Sequence, residues 1–373
     1  MLVHVDVGTA ALGQGLHNAS SGKAPILIFA GEAPRSFDGA VLGGRSEHVQ
    51  WYQDVHGQSK LVEPYSRYSA RLEYGQDVKL TVKRALMMAT TGCPGPVYLT
   101  ATREVLAAPA VHRDTSAKRA THAAGGLPGD AVSAVAKALL TAQRPLVVTG
   151  YLGRDHRAVD ELCRLTDIVS KIEVLDTENR EVSFPHAHLA RVSPRTGAKE
   201  ALAEADVILV LDCDVPWIPT KSRPSASSRI FHIDHDPRKD QMQLFDIKAE
   251  ATYNAECHVA LSQLNTTISS SATDRPSVQG QGHRLAVKEK RNAKLAELAQ
   301  APEDGTLTVD LVGTTLRDHL PENTIYANDA TTNTSILAEQ LQPSLAGTHF
   351  SKGASGLGSV SYTHLTLPTI YSV

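Results

Sequence analysis

From Val3 to Val7 apolar and polar residues alternate, with His4 and Asp6 set between Val3, Val5 and Val7. A period of two predicts a strand, because successive strand side chains leave on opposite faces. Gly8 and Thr9 break the pattern, and from Ala10 the spacing turns helical, with Leu12, Leu16 and Ala19 on one side and Gly13 and Gly15 open to close approach. A strand that passes through a glycine turn into a helix start is a ready site for an anion or cofactor. Any β-α turn of an α/β domain has the same outline. Pro25 to Ala30 is a continuous apolar run closed by Gly31, which predicts a strand buried on both faces of a parallel sheet.

Arg35 to Gly57 reads as a long polar loop carrying Phe37, Trp51 and Tyr52. It is longer than a connection needs to be, so it is either a surface excursion or a reach over a site or a partner subunit. Asp77 to Thr90 has helical spacing, Gly92 to Pro96 stops it, and Val97 to Thr100 is a short strand. Residues 107–129 are rich in Ala, Gly, Pro and charge without a period, as in a linker.

A second alternating series begins near Asp130. Helical patterns at Val132 to Leu140, Val159 to Val169 and Gly197 to Glu204 alternate with strands at Arg144 to Gly150, Ile172 to Leu175 and Val207 to Leu211. Ile230 to Ile233 is expected to be the last strand of the series. Ser269 to Gly282 reads as a linker or crossover, and Leu285 to Leu298 as a solvated helix. Val309 to Leu320 and Thr334 to Leu341 read as helices around a strand at Thr324 to Ala327, and Phe350 to Gly358 as a second glycine-rich turn. The fold class expected is α/β, with tandem doubly wound parallel-sheet domains.

The 373 residues are too many for one ordinary core, and a net charge of −3 argues against a nucleic-acid partner. Cys93, Cys163, Cys213 and Cys257 form no C-x-x-C pair and read as reduced thiols of a cytoplasmic protein. No run is long and apolar enough for a membrane span. His232, Asp234, His235 and Asp236 look like a metal cluster by type. Alternate strand residues point to opposite faces and the run reads as a strand end with a turn, so no metal ligand is assigned there. His186 and His188 read as loop residues.

Several pieces in order resemble thiamine-diphosphate-dependent enzymes of the acetolactate synthase and benzoylformate decarboxylase group. They are the His4-x-x-x-Gly8-Thr9 turn with the run to Gly31, then Gly95-Pro-Val-Tyr-Leu99, then Arg144 to Gly150 and His232 to Pro237. Asn328-Asp-Ala-Thr-Thr332 followed by Gly353 to Gly358 completes the set. The resemblance implies the later half of a pyrimidine-binding domain at 1–106, a linker at 107–129 and a central domain of NAD/FAD-binding form at 130–265. A linker and crossover helix at 266–304 and the first part of a diphosphate-binding domain at 305–358 would follow.

By the same resemblance His4 is an active-site histidine that exchanges protons with substrate-derived groups, and Gly8 and Thr9 lie at the cofactor. Thr331 and Thr332 would meet the diphosphate, although a helix cap would equally explain them, and Ser355, Gly356 and Leu357 would meet the aminopyrimidine by main chain. The cofactors implied are thiamine diphosphate and Mg²⁺, with FAD possible in the central domain, and the partners a small 2-oxo acid and a second or further copies of the chain. The family's glutamate on the pyrimidine nitrogen and its Gly-Asp-Gly metal motif have no counterpart in these residues. The expectation is therefore an incomplete chain, inactive alone, with Met1 internal to a longer protein and 359–373 an artefactual tail that is similar to translated adapter DNA. The competing expectation is a non-catalytic FAD- or NAD-binding or dimerising module.

Overall fold

The computed structural model describes residues 1–109, 125–177, 180–271, 278–330 and 332–351. They fall into two compact units, 1–109 and 125–351. In the first, β1 (Leu2–Val3), α1 (Val7–Ala10), α2 (Gly13–Ser21), β2 (Leu27–Glu32), α3 (Val49–Tyr52), β3 (Tyr68–Leu72), α4 (Val78–Thr90), β4 (Val97–Thr102) and α5 (Arg103–Ala107) follow in order. The four strands form one parallel sheet in the order β1-β2-β4-β3. Leu12, just ahead of α2, and Leu16 within it pack with Ile28, Ala30 and Tyr98 on one face, while Ala85 and Ala89 of α4 pack with Val97 and Leu99 on the other. A sheet covered on both faces needs apolar residues at successive strand positions, which is why these strands read as runs.

The second unit carries α6 (Gly129–Thr141), β5 (Pro145–Thr149), α7 (His156–Ile168), β6 (Glu173–Asp176), β7 (Arg191–Val192), α8 (Ala198–Glu204), β8 (Val207–Leu211), β9 (Arg229–Asp234), β10 (Ala251–Asn254) and α9 (Cys257–Ser271). After them come α10 (Val278–Leu298), α11 (Val309–His319), β11 (Tyr326–Asn328), α12 (Thr334–Leu341) and β12 (His349–Ser351). Its six-stranded sheet is parallel, in the order β10-β9-β8-β5-β6-β7. Val147, Leu209 and Ile233 face α6, α7 and α9, while Leu146, Ile208 and Val210 face α8. Counted from β5, the sheet is the doubly wound order 3-2-1-4-5-6. β11 and β12 make a separate parallel pair.

Several expectations need correction. The strand expected from Val3 to Val7 stops at Val3. Asp6 takes φ 49° and ψ −74°, outside the extended range, and its N–H turns to Gln58 Oε1 at 3.0 Å instead of to a ladder. Gly8 consequently lies inside α1. β3 and β10 give no apolar run because each is an edge strand with half of its surface open, and Ile230 to Ile233 is therefore not the last strand of its series. The stretch from Ser269 was expected to be linker, yet α9 continues to Ser271. Its hydroxyls bond back to their own helix, as Ser271 Oγ does to the Thr267 carbonyl at 2.8 Å. The helix at Leu285 to Leu298 is not simply solvated. Arg284 and Arg291 are buried and donate to the carbonyls of Thr166 at 3.0 Å and of Arg191 at 3.0 Å.

Candidate cofactor site

The carboxyl ends of β1, β2 and β4 meet at the turn that holds His4, Gly8 and Thr9, the end of a parallel sheet where ligands bind. The turn is held from a distance. Gln58 accepts the Asp6 N–H with Oε1, and its Nε2 lies 2.8 Å from Tyr98 Oη, 2.9 Å from the Gly31 carbonyl and 3.1 Å from Thr9 Oγ1. Thr9 and Tyr98 share a further hydroxyl bond of 2.6 Å. Burial is the main reason the Tyr98 phenol sits above its ordinary range. Neighbouring acids are paired: Glu32 takes Thr100 Oγ1 at 2.7 Å and lies 3.3 Å from Arg71, and Asp54 pairs with Arg45.

His4 is exposed, with Nδ1 3.1 Å from the Val5 carbonyl. Gly8 packs against its base, and an added Cβ there would lie 3.1 Å from His4 Cβ. Thr9 is buried, its hydroxyl occupied by Tyr98 and Gln58. The structure thus brings His4, Gly8 and Thr9 together. Gln58, which ties them, carries no local sequence signal because it lies 49 positions from Thr9.

Thr332 belongs to the second unit and is exposed ahead of α12, whose cap position is held by Asn333, so Thr332 is not the helix cap. Asn328 orders that turn: it accepts the Ala330 N–H at 3.2 Å and donates to the Thr334 carbonyl at 3.2 Å. Thr331, Ser355, Gly356 and Leu357 lie outside the described residues.

In the second unit the crevice where this strand order holds a dinucleotide lies beyond β5 and β8. Here it is filled by the chain. The N–H groups of Gly150 and Tyr151 both point to the Asp212 carbonyl, at 3.2 and 2.8 Å. The start of α7 is capped by Asp155, which accepts the Arg157 N–H at 3.1 Å and pairs with His258 at 2.9 Å. An anionic cap takes the place a phosphate would need. Deeper in, Lys239 Nζ lies 2.6 Å from Tyr151 Oη, 2.7 Å from Asp234 and 2.9 Å from Asp214. Burial works against the Lys239 charge, but Asp234 and Asp214 outweigh it and hold the ammonium above the ordinary lysine range. This geometry gives FAD no support.

His232 and Asp234 do not lie on opposite faces as expected: two positions apart on β9, they share a face and approach to 3.5 Å. Asp212, Asp234 and His235 each place a ligand atom within 4.8 Å of the others. The ammonium of Lys239 is the cation that Asp234 already holds. A groove of about 660 Å³ lies between α8 and α10, lined by Arg144, Glu173, Ser193, Glu200 and Lys290. Arg144 and Glu173 stand at the amino ends of β5 and β6, away from the ligand edge of the sheet.

Residues 132–252 match the family described as thiamine pyrophosphate enzyme, central domain. Oxalyl-CoA decarboxylase of Escherichia coli (strain K12) is 23% identical over 231 residues, covering 60% of this chain and 39% of that protein. The probable acetolactate synthase large subunit of Methanocaldococcus jannaschii is 24% identical over 255 residues, covering 62% and 39%. The chain thus spans about two-fifths of the length of these relatives. The thiamine diphosphate-dependent 4-hydroxybenzoylformate decarboxylase of Rhodococcus jostii RHA1 superposes with a TM-score of 0.71 at 20% identity, over 96% of this chain and 64% of that one, a likeness of fold. Residues 132–252 are thus similar to the central domain of thiamine pyrophosphate enzymes, and the chain is similar over about three-fifths of its length to a decarboxylase and a probable acetolactate synthase.

Proposed function

We propose that this chain is part of a thiamine-diphosphate- and Mg²⁺-dependent decarboxylase or carboligase acting on a small 2-oxo acid. The observation that carries the reading is the match of 132–252 to the central domain of these enzymes, with relatives named as a decarboxylase and an acetolactate synthase. When bound, thiamine diphosphate supplies the carbon nucleophile that adds to a 2-oxo acid carbonyl.

The chain's own residues prepare the place. Gln58 and Tyr98 hold the turn rigid, and Gly8 lets α1 pack against His4. His4, exposed beside them, exchanges protons with groups derived from the substrate. Thr9 serves by its inward hydroxyl, as part of the clamp. Thr332, with Thr331, Ser355, Gly356 and Leu357, is proposed for the diphosphate and aminopyrimidine by resemblance.

We propose further that two copies assemble. The first unit leaves Leu2, Phe37, Leu42, Tyr52 and Leu80 largely exposed, apolar side chains that a second copy could cover. Among the described residues the four cysteines form no disulfide, which supports a reducing compartment, and no helix is long and apolar enough to cross a membrane.

Calorimetric titration of a full-length version with thiamine diphosphate, with and without Mg²⁺, tests the reading, followed by CO₂ release from pyruvate, benzoylformate and oxalyl-CoA. Saturable, Mg²⁺-dependent binding is the expected result. Saturable binding of FAD or NAD⁺ with none of thiamine diphosphate would overturn it.

A further inference from the structure

Asp6, in the candidate turn, is an acidic side chain with no ion pair among the described residues. It is 3% exposed, and its Oδ2 has no hydrogen-bond partner among the described residues. The backbone N–H of Val55 favours its charged form. Glu32 at the end of β2 and Asp54 in the following loop stand near it, but each has arginine partners: Arg35 and Arg71 for Glu32, Arg35 and Arg45 for Asp54. Arg35 is the cation that acts on Asp6, and only from a distance. Buried charges in folded proteins are paired, and one left alone costs several kcal/mol.

The backbone adds to that cost. φ 49° with ψ −74° at Asp6 lies near the rarer, strained form of γ-turn, which a residue with a side chain adopts only at a cost. Burial, with Asp54 and Glu32 adding to it, raises the carboxyl above the ordinary aspartate range, so the folded chain works against this charge at neutral pH. A residue that strains the backbone and buries an unbalanced charge at the ligand edge of a sheet is kept for something that arrives later.

We propose that Asp6 is the counter-charge for a cationic ligand at this turn, which under the functional reading above is the thiazolium ring of thiamine diphosphate. The proposal rests on that reading. It needs no direct contact, because opposite charges attract across several ångströms where water is excluded.

The test compares a full-length version of the protein with its Asp6→Asn variant. Asn keeps the shape, can accept from Val55 and tolerates a positive φ. Without ligand, the variant should melt higher than the parent at pH 7. The sign follows from a folded-state pKa above the unfolded one: the carboxylate disfavours folding at neutral pH, and the gain should vanish as pH falls below the ordinary carboxylate range. With Mg²⁺ present, thiamine diphosphate should bind the variant roughly tenfold more weakly or worse. An analogue whose thiazolium is replaced by an uncharged ring should bind both proteins alike. Mg²⁺ added alone should not distinguish them; if it does, the cation is the metal and the thiazolium assignment is wrong. A lower melting temperature in the variant, or equal weakening for both cofactor forms, would make Asp6 a structural residue and overturn the proposal. Failure of the parent chain to bind thiamine diphosphate overturns the functional reading itself, whereas parent binding with no change in the variant overturns the Asp6 assignment alone.

Discussion

His349 shows what burial does to a single side chain. It is 1% exposed on β12, and burial first, then Arg191, pushes its pKa down to about 4. His186 is driven down by the same burial and by Arg191 beside it. Both are neutral when folded and charge readily when unfolded, so the second unit should lose stability as pH falls from about 6.5 towards 4. Two and a half pH units of difference correspond to on the order of 3 kcal/mol for His349. Urea unfolding across that range checks this, and His349→Gln should flatten the dependence. Asp6 is the mirror case in the first unit, a group that burial holds back from its charged form.

Among the elements, α7 shows a local rule turned to a long-range end. Asp155 caps its first turn through the Arg157 N–H and also pairs with His258 on α9, which packs beside it. Asp155→Ala should therefore cost about 1 kcal/mol for the lost cap, and somewhat more through His258. Thermal melts of that variant and of the double variant with His258→Ala would separate the two parts. The same level explains what the sequence could disclose. β5 and β8 were legible as apolar runs because both of their faces are covered. β3 and β10 were not, since an edge strand exposes half of what would form the pattern. The arrangement beyond β5 was not legible either, because it depends on Asp212, Asp234 and Lys239 arriving from distant positions in the chain. In the candidate site, His4, Gly8 and Thr9 were named by resemblance and are neighbours in the chain, whereas Gln58, 49 positions from Thr9, had no signal near them. Asp6 was misread as a strand residue, since alternation alone cannot show a backbone turned to positive φ.

At the scale of the molecule, two parallel sheets of four and six strands are built with helices on both faces. The second carries the match to the thiamine pyrophosphate enzyme central domain, and the turn of the first is the proposed place of chemistry. If two copies assemble through the exposed apolar side chains of the first unit, sedimentation velocity should show a monomer–dimer equilibrium that moves with concentration. Leu42→Lys together with Leu80→Lys should shift it to monomer with little change in melting temperature.

Gln58 joins Asp6, Thr9, Gly31 and Tyr98, which lie 52, 49, 27 and 40 positions away along the chain. No short piece of chain can build that turn while the rest is still unfolded, since loop closure must come first. The site is therefore a late product of folding and acts as a proofreader of it: a chain that has collapsed without closing its first sheet has nothing to offer a cofactor. Ligand affinity should disappear at the same denaturant concentration as the sheet, with no partly folded species that still binds.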